Sequence, residues 1–247
     1  MVGVVGRNLE RLPAESVLAT LGPGADATVP VVDAPAPWVI QGRGHVALLR
    51  QPAAVLDDDR FIGPALKGRR RAGRLAILMY VDYGSTPAGP YRELLYIPGA
   101  YDLDGRHFWS ISRIFVSTMD SVVNGRRNWG IPKDLAQFDV QEDEDRETVT
   151  ITTAGQPLAR LGFRRARFVF PVTTALVPKK WRGLGQVLGD HLFLLTPEAK
   201  GRAGFGRVTE LSGNAALFPP LDQARVLATL DIARFQMTFP VASIAPL

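Results

Sequence analysis

Gly125-Arg126-Arg127-Asn128-Trp129-Gly130-Ile131-Pro132-Lys133-Asp134-Leu135-Ala136 sets one lysine behind a Gly/Pro turn in otherwise apolar surroundings. Pro132 fixes its own φ and biases Ile131 towards an extended conformation, so the backbone entering Lys133 is stiff and the side chain can be aimed. An amine aimed into a dry cavity loses the hydration of its charged form; its pKa falls, and a fraction stands free to attack a carbonyl carbon. Lys133 is therefore the candidate nucleophile. Asp134 would oppose this, because a carboxylate about 4 Å from the ammonium, at an effective dielectric near 20, stabilises the charged form by about 4 kcal/mol. Extended backbone through both residues removes the conflict, since successive side chains then point to opposite faces.

Outward from this block the chain reads mostly as strands. Trp38 to Leu49, Arg74 to Tyr83, Glu93 to Tyr101, His107 to Val116, Glu147 to Thr153, Pro157 to Phe163 and Arg167 to Val172 mix β-branched and aromatic residues with polar ones between Gly, Pro and Asp turns. Further strands are expected at Asp190 to Leu195, Arg202 to Leu211 and Arg234 to Ala242. Helical periodicity is confined to Leu9 to Leu21 and Leu221 to Ala228, with Gly22 to Pro37 as a loop. Many strands at short intervals point to a mainly β (α+β) fold of sandwiched or closed antiparallel sheets. One domain over residues 1–247 is expected, with 1–36 as an N-terminal helix and loop.

The 247 residues are 46% hydrophobic and 21% charged, ordinary globular material with enough chain for a large core. The chain has no cysteine, which excludes disulfides, thiolate zinc sites and cysteine nucleophiles and fits a reducing cytoplasm. No signal peptide or membrane-length apolar run is visible, so a soluble, cytoplasmic protein is expected. A net charge of +5 raises the question of nucleic acid. The basic clusters at Lys67 to Arg71, Arg164 to Arg167 and Lys179 to Arg182 are dispersed and interleaved with acidic runs, and no nucleic-acid motif accompanies them.

Three further features surround Lys133. Tyr91-Arg92-Glu93 precedes the apolar run Leu94 to Pro98, Pro37-Trp38 is followed five residues after the tryptophan by Arg43, and Gly125-Arg126 leads into Pro132-Lys133-Asp134-Leu135. This ensemble resembles the acetoacetate decarboxylase superfamily, which carries its Schiff-base lysine in a Gly-Arg lead-in followed by a Pro-Lys-Lys-Leu block. The resemblance implies a double-layered β-cone, imine chemistry at Lys133, an active-site glutamate at Glu93 and a substrate-binding arginine at Arg43. It also implies a homo-oligomer and no cofactor. Two positions depart from the pattern: Asp134 stands where the decarboxylases have a second lysine, and Ala76 falls at about the place of another glutamate.

The resemblance implies a Schiff-base lyase acting on a small keto acid, most simply by acetoacetate-type decarboxylation. Arg43 would hold the carboxylate through paired hydrogen bonds and Glu93 would move protons at the imine or α-carbon. Aldol condensation and dehydration of a keto acid with an aldehyde is the alternative chemistry. Passive binding of a hydrophobic molecule in the β-cone is the alternative class. Competing motifs are weak. His45, His107 and His191 lack metal-pair spacing, the pairs Gly183/Gly185 and Gly204/Gly206 lack a dinucleotide-binding context, and Pro178-Lys179-Lys180 lacks the Gly-Arg lead-in.

Overall fold

The computed structural model of the chain describes residues 11–12, 31–63, 66–103 and 105–247. Strands dominate them and form three sheets. The largest has eight strands in the order Phe170–Thr173, Glu198–Phe205, Arg225–Phe239, Trp38–Arg50, Leu75–Ser85, Tyr91–Ile97, Arg113–Val116 and Lys133–Leu135. Its neighbours pair antiparallel except at the last position, where Lys133–Leu135 runs parallel to Arg113–Val116 with Lys133 opposite Ile114. A parallel return needs a crossover, and the helix Met119–Trp129 supplies it.

Tyr91–Ile97, near the middle of this sheet, is buried on both faces, which explains why it reads as a nearly continuous apolar run. On Tyr91–Ile97 the side chains of Tyr91, Leu95 and Ile97 join a core with Trp38, Ile40, Val122 and Trp129, while Leu94 and Tyr96 join a second core with Leu49, Leu78 and Phe163. The second core is closed by a four-stranded sheet of Gln137–Asp143, Arg146–Thr153, Gln156–Arg164 and Arg207–Gly213. The first is closed by the helix and by strands His191–Leu195 and Ser243–Pro246 of a six-stranded sheet.

The expectation of a mainly β protein holds, with one correction: the sheets of the described residues are open and do not close into a barrel. Two expected strands break where Pro and Gly or Ser interrupt them. Glu93 to Tyr101 becomes Tyr91–Ile97 and Ala100–Leu103, and His107 to Val116 becomes Arg106–Trp109 and Arg113–Val116, in different sheets. The expected helix at Leu221 to Ala228 is only a turn, Leu221–Gln223, after which Arg225 opens the long strand that pairs with Trp38–Arg50. Leu9 to Leu21 lies outside the described residues apart from Arg11 and Leu12.

The helix Met119–Trp129 is absent from the sequence reading because Asn124, Gly125 and Asn128 are poor helix formers in its interior. Tertiary contacts offset them. Asn124 donates to the carbonyls of Val32 and Asp120 and accepts from Ala34 N–H, and Asn128 donates to Ala34 O, so the helix holds the segment that leads into Trp38. Thr118 caps its start by accepting from Ser121 N–H, and Gly130 ends it at φ +62°, where a Cβ would also stand 2.5 Å from the Phe193 ring.

Candidate active site

The helix ends at Gly130, Ile131 and Pro132 turn the chain back, and Lys133 enters its short strand with its stem lying across Gly125. A Cβ on Gly125 would sit 2.6 Å from Lys133 Cδ and 2.8 Å from Cε, so the glycine of the Gly-Arg pair is the space through which the lysine passes. Arg126 fixes the strand: its Nε donates to Lys133 O at 2.9 Å and its guanidinium donates to Asp134 Oδ1 at 2.7 Å. The extended backbone thereby separates the two neighbours. Lys133 is 3% exposed and turned inward, while the Asp134 side chain is 48% exposed and held by Arg126.

The amine is fully engaged. Lys133 Nζ donates to Glu93 Oε2 at 2.8 Å, Ser121 Oγ at 2.9 Å and Tyr91 OH at 3.2 Å, which accounts for all three ammonium protons. Nζ also lies 4.8 Å from the Tyr91 ring centroid. Tyr83 OH donates to the other carboxylate oxygen, Glu93 Oε1, at 3.0 Å. Glu93 is 3% exposed. Burial pulls the lysine pKa down, but the Glu93 carboxylate and the Tyr91 oxygen outweigh it and the value lies above that of an ordinary lysine. Desolvation alone therefore does not free this amine, contrary to the sequence-based expectation; a buried partner holds its proton. Burial, and then the neighbouring carboxylate, raise the Tyr83 pKa well above its usual range, so its hydroxyl remains a donor.

Beyond the ammonium lies a cavity of about 140 Å³, walled by Trp38, Ile40, Leu95, Ile111, Trp129 and Phe239 among others. Lys133 is the only cation among the described residues that line it, and Glu93 the only carboxylate. Tyr91 and Glu93 reach it together because residues two apart on a strand share a face. Tyr83 pairs directly with Tyr91 on the adjacent strand. Ser121, on the first turn of the helix, and Tyr83 were not singled out in the sequence. Tyr83 is implied by strand pairing, but nothing local marks Ser121.

Arg43 is not brought to this cavity. Trp38 and Ile40 face it, and a spacing of five from Trp38 is odd, so Arg43 projects from the opposite face opposite Asp82 in the pairing register. There it is bonded to Glu142, lies 3.4 Å from Asp82 and 3.7 Å from Glu147, and shares Glu142 with Arg165. The two guanidiniums hold the Glu142 carboxyl down at about 2. His45 belongs to the same cluster, with Nε2 3.0 Å from Glu147 Oε2 and its ring stacked on Phe163. Ala76 is buried in the second core by the same parity, so an acid there would not face Lys133. Lys179 and Lys180 lie on an exposed single-turn helix. Among the described residues no cluster of His, Asp and Glu could hold a metal ion, and no helix is long and apolar enough to cross a membrane.

Comparison with known proteins bears on this arrangement. Residues 64–181 match the family model for acetoacetate decarboxylase (ADC). No curated protein sequence matches. Among solved structures, acetoacetate decarboxylase from Legionella pneumophila subsp. pneumophila str. Philadelphia 1 superposes with a TM-score of 0.63 at 15% identity, covering 90% of this chain and 92% of that one. An acetoacetate decarboxylase-like enzyme from Sphingomonas wittichii RW1 gives 0.63 at 14% identity, covering 90% and 99%. The enduracididine biosynthesis enzyme MppR, solved in complex with pyruvate, gives 0.54 at 13%, covering 90% and 93%. At these identities the structural likeness is one of fold, whereas the family model matches the segment that contains Glu93, the helix and Lys133. The matched segment resembles the acetoacetate decarboxylase family, and the chain as a whole shares the fold of these enzymes.

Proposed function

We propose that the protein is an imine-forming lyase of carbonyl compounds, with Lys133 as the nucleophile and Glu93 as its proton carrier. The observation that carries this reading is the buried Lys133–Glu93 pair at the end of an apolar cavity. Fold stability does not account for such a pair, since apolar side chains of similar volume would serve the core as well or better. Its usefulness lies in proton transfer. When a carbonyl compound enters, the ammonium gives a proton to the Glu93 carboxylate and the neutral amine adds to the carbonyl carbon. The nitrogen proton passes to the carbinolamine oxygen, Glu93 returns its proton there, water leaves, and the iminium pairs again with the carboxylate. Tyr83 holds Glu93 in place and Tyr91 covers the nitrogen.

The iminium can accept electrons from a lost carboxylate or from a removed α-proton. Charge favours the second. A carboxylate next to the reacting carbonyl would stand among apolar side chains beside Glu93, with no second cation among the described residues of the cavity wall to receive it. Aldol addition or dehydration, with Glu93 taking the α-proton, is therefore the reading best supported by geometry. Decarboxylation of a small keto acid is the second reading, supported by the family match.

The test is borohydride reduction in the presence of acetone, pyruvate and acetoacetate, followed by mass mapping. An adduct at Lys133 is expected. α-Proton exchange in deuterated water without release of carbon dioxide would select aldol-type chemistry, and carbon dioxide from acetoacetate would select decarboxylation. No adduct with any of the three would leave a passive hydrophobic binder.

A further inference from the structure

The three acceptors around Lys133 Nζ are not equivalent. Tyr91 and Glu93 stand two apart on one strand and both wall the cavity, whereas Ser121 comes from the first turn of the crossover helix, is fully buried and is not part of the wall. Its backbone N–H donates to Thr118 Oγ1, and the next turn of the helix is tied through Asn124 to Val32 and Ala34. The serine oxygen is therefore held by the frame of the helix, 2.9 Å from the nitrogen, on a side where the cavity does not open.

Imine formation sends two of the three ammonium protons out with the carbonyl oxygen as water and leaves one N–H on a planar, charged nitrogen. The substrate carbon must take a direction that opens on the cavity, so it displaces the hydrogen bond to Tyr91 or the one to Glu93. As the nitrogen flattens, the remaining N–H swings between the two acceptors left over. These are Glu93 and Ser121 in the first case, Tyr91 and Ser121 in the second. Ser121 belongs to both. We propose that Ser121 Oγ receives the N–H that the iminium keeps, and so sets the plane of the C=N bond. This rests on the imine reading. Glu93 cannot hold that N–H throughout, because taking the α-proton turns its carboxylate into a neutral acid, whereas the serine oxygen stays an acceptor at every step. The enamine formed by that proton transfer keeps the same N–H, so one plane serves both states. Glu93 meanwhile neutralises the iminium charge without being tied to its nitrogen, and can turn to the α-carbon.

The test is the configuration of the reduced adduct. Borohydride that meets a fixed C=N plane from one side creates one configuration at the new carbon; a plane free to turn about the Cε–Nζ bond gives both. The wild type is reduced with pyruvate and with 2-pentanone, digested, and its alkylated lysine compared with synthetic diastereomers. Turning the plane forfeits a hydrogen bond to a charged group, so one configuration at Lys133 should exceed the other by about tenfold or more. Ser121→Ala should still be labelled at Lys133, because Glu93 and Tyr91 remain, but with the two configurations approaching equal amounts. Ser121→Thr keeps the hydroxyl and should restore the excess. If the gap left by alanine unfolds the protein, as circular dichroism would report, Ser121→Cys, close in shape but a weak acceptor, replaces it with the same expected mixture. A serine that only fills space would alter stability and yield without altering the ratio. An unchanged excess in a folded alanine or cysteine variant, a mixture in a folded threonine variant, or equal configurations in the wild type would each overturn the proposal. No adduct at all in the wild type would refute the imine reading and the role of Ser121 with it, a result distinct from labelling with the wrong ratio.

Discussion

Gly125→Ala tests whether the helix aims the lysine. The new Cβ would lie 2.6 Å from Lys133 Cδ and 2.8 Å from Cε. Non-bonded carbons rest at about 3.5–4.0 Å, so the stem must retreat by about 1 Å. The head cannot follow freely, because Nζ is held by Glu93, Ser121 and Tyr91. Alanine stabilises a helix interior by about 1 kcal/mol relative to glycine, and a weakened hydrogen bond to a charged group costs about 1.5–3 kcal/mol. Opposed terms of that size leave the protein folded, with its urea midpoint moved only modestly. Imine trapping is far more sensitive, since a displacement of about 1 Å of a reacting group lowers rates about 100-fold. The two readouts, urea unfolding and the rate of borohydride labelling at Lys133, should therefore separate. A folded variant that labels at the wild-type rate would refute the claim that Gly125 positions the amine.

Glu93→Gln removes the group that holds the lysine proton; the pH midpoint of trapping should move down while turnover falls by about 100-fold or more, and an unmoved midpoint would show that Glu93 does not set the lysine's charge. Arg43→Ala should lower the urea midpoint by leaving Glu142 and Glu147 short of a partner, yet leave trapping unchanged because it lies on the far face of the sheet; a large rise in half-saturating keto acid would restore the substrate-binding role expected from the sequence. Alkali should destabilise the protein through Lys133. Its folded pKa lies above the unfolded one, so its contribution is complete below the unfolded value of about 10.4 and is lost as pH rises through the folded value. Lys133→Met should remove that part of the alkaline loss, as followed by urea midpoints across the range.

Parity decides what the sequence reveals here. Strand character was legible wherever aromatic and β-branched residues alternated, and the two-residue spacing of Tyr91 and Glu93 is enough to put both on one face of their strand, although not to bring Lys133 to it. The same rule applied to Trp38 and Arg43 gives opposite faces, and this overrides the family-like order in which they occur. The helix that carries Gly125 and Arg126 was illegible because its stability comes from contacts of Asn124 and Asn128 with residues some 90 positions away, and local composition carries no trace of them. The sign of the lysine's pKa was hidden for the same reason. It depends on Glu93 and Tyr91, some 40 residues away and brought in from another strand.

The strand Trp38–Arg50 is chemically two-sided: Trp38 and Ile40 wall the lysine cavity, while Arg43 and His45 sit in a network of acids behind it. A slip of one residue against Leu75–Ser85 would turn every side chain over, setting Arg43 and His45 on the apolar face of the sheet and removing Trp38 and Ile40 from the cavity wall. Neither set tolerates the other's surroundings. The arginine that does not touch the cavity therefore guards it, by making the wrong strand alignment costly long before any substrate arrives.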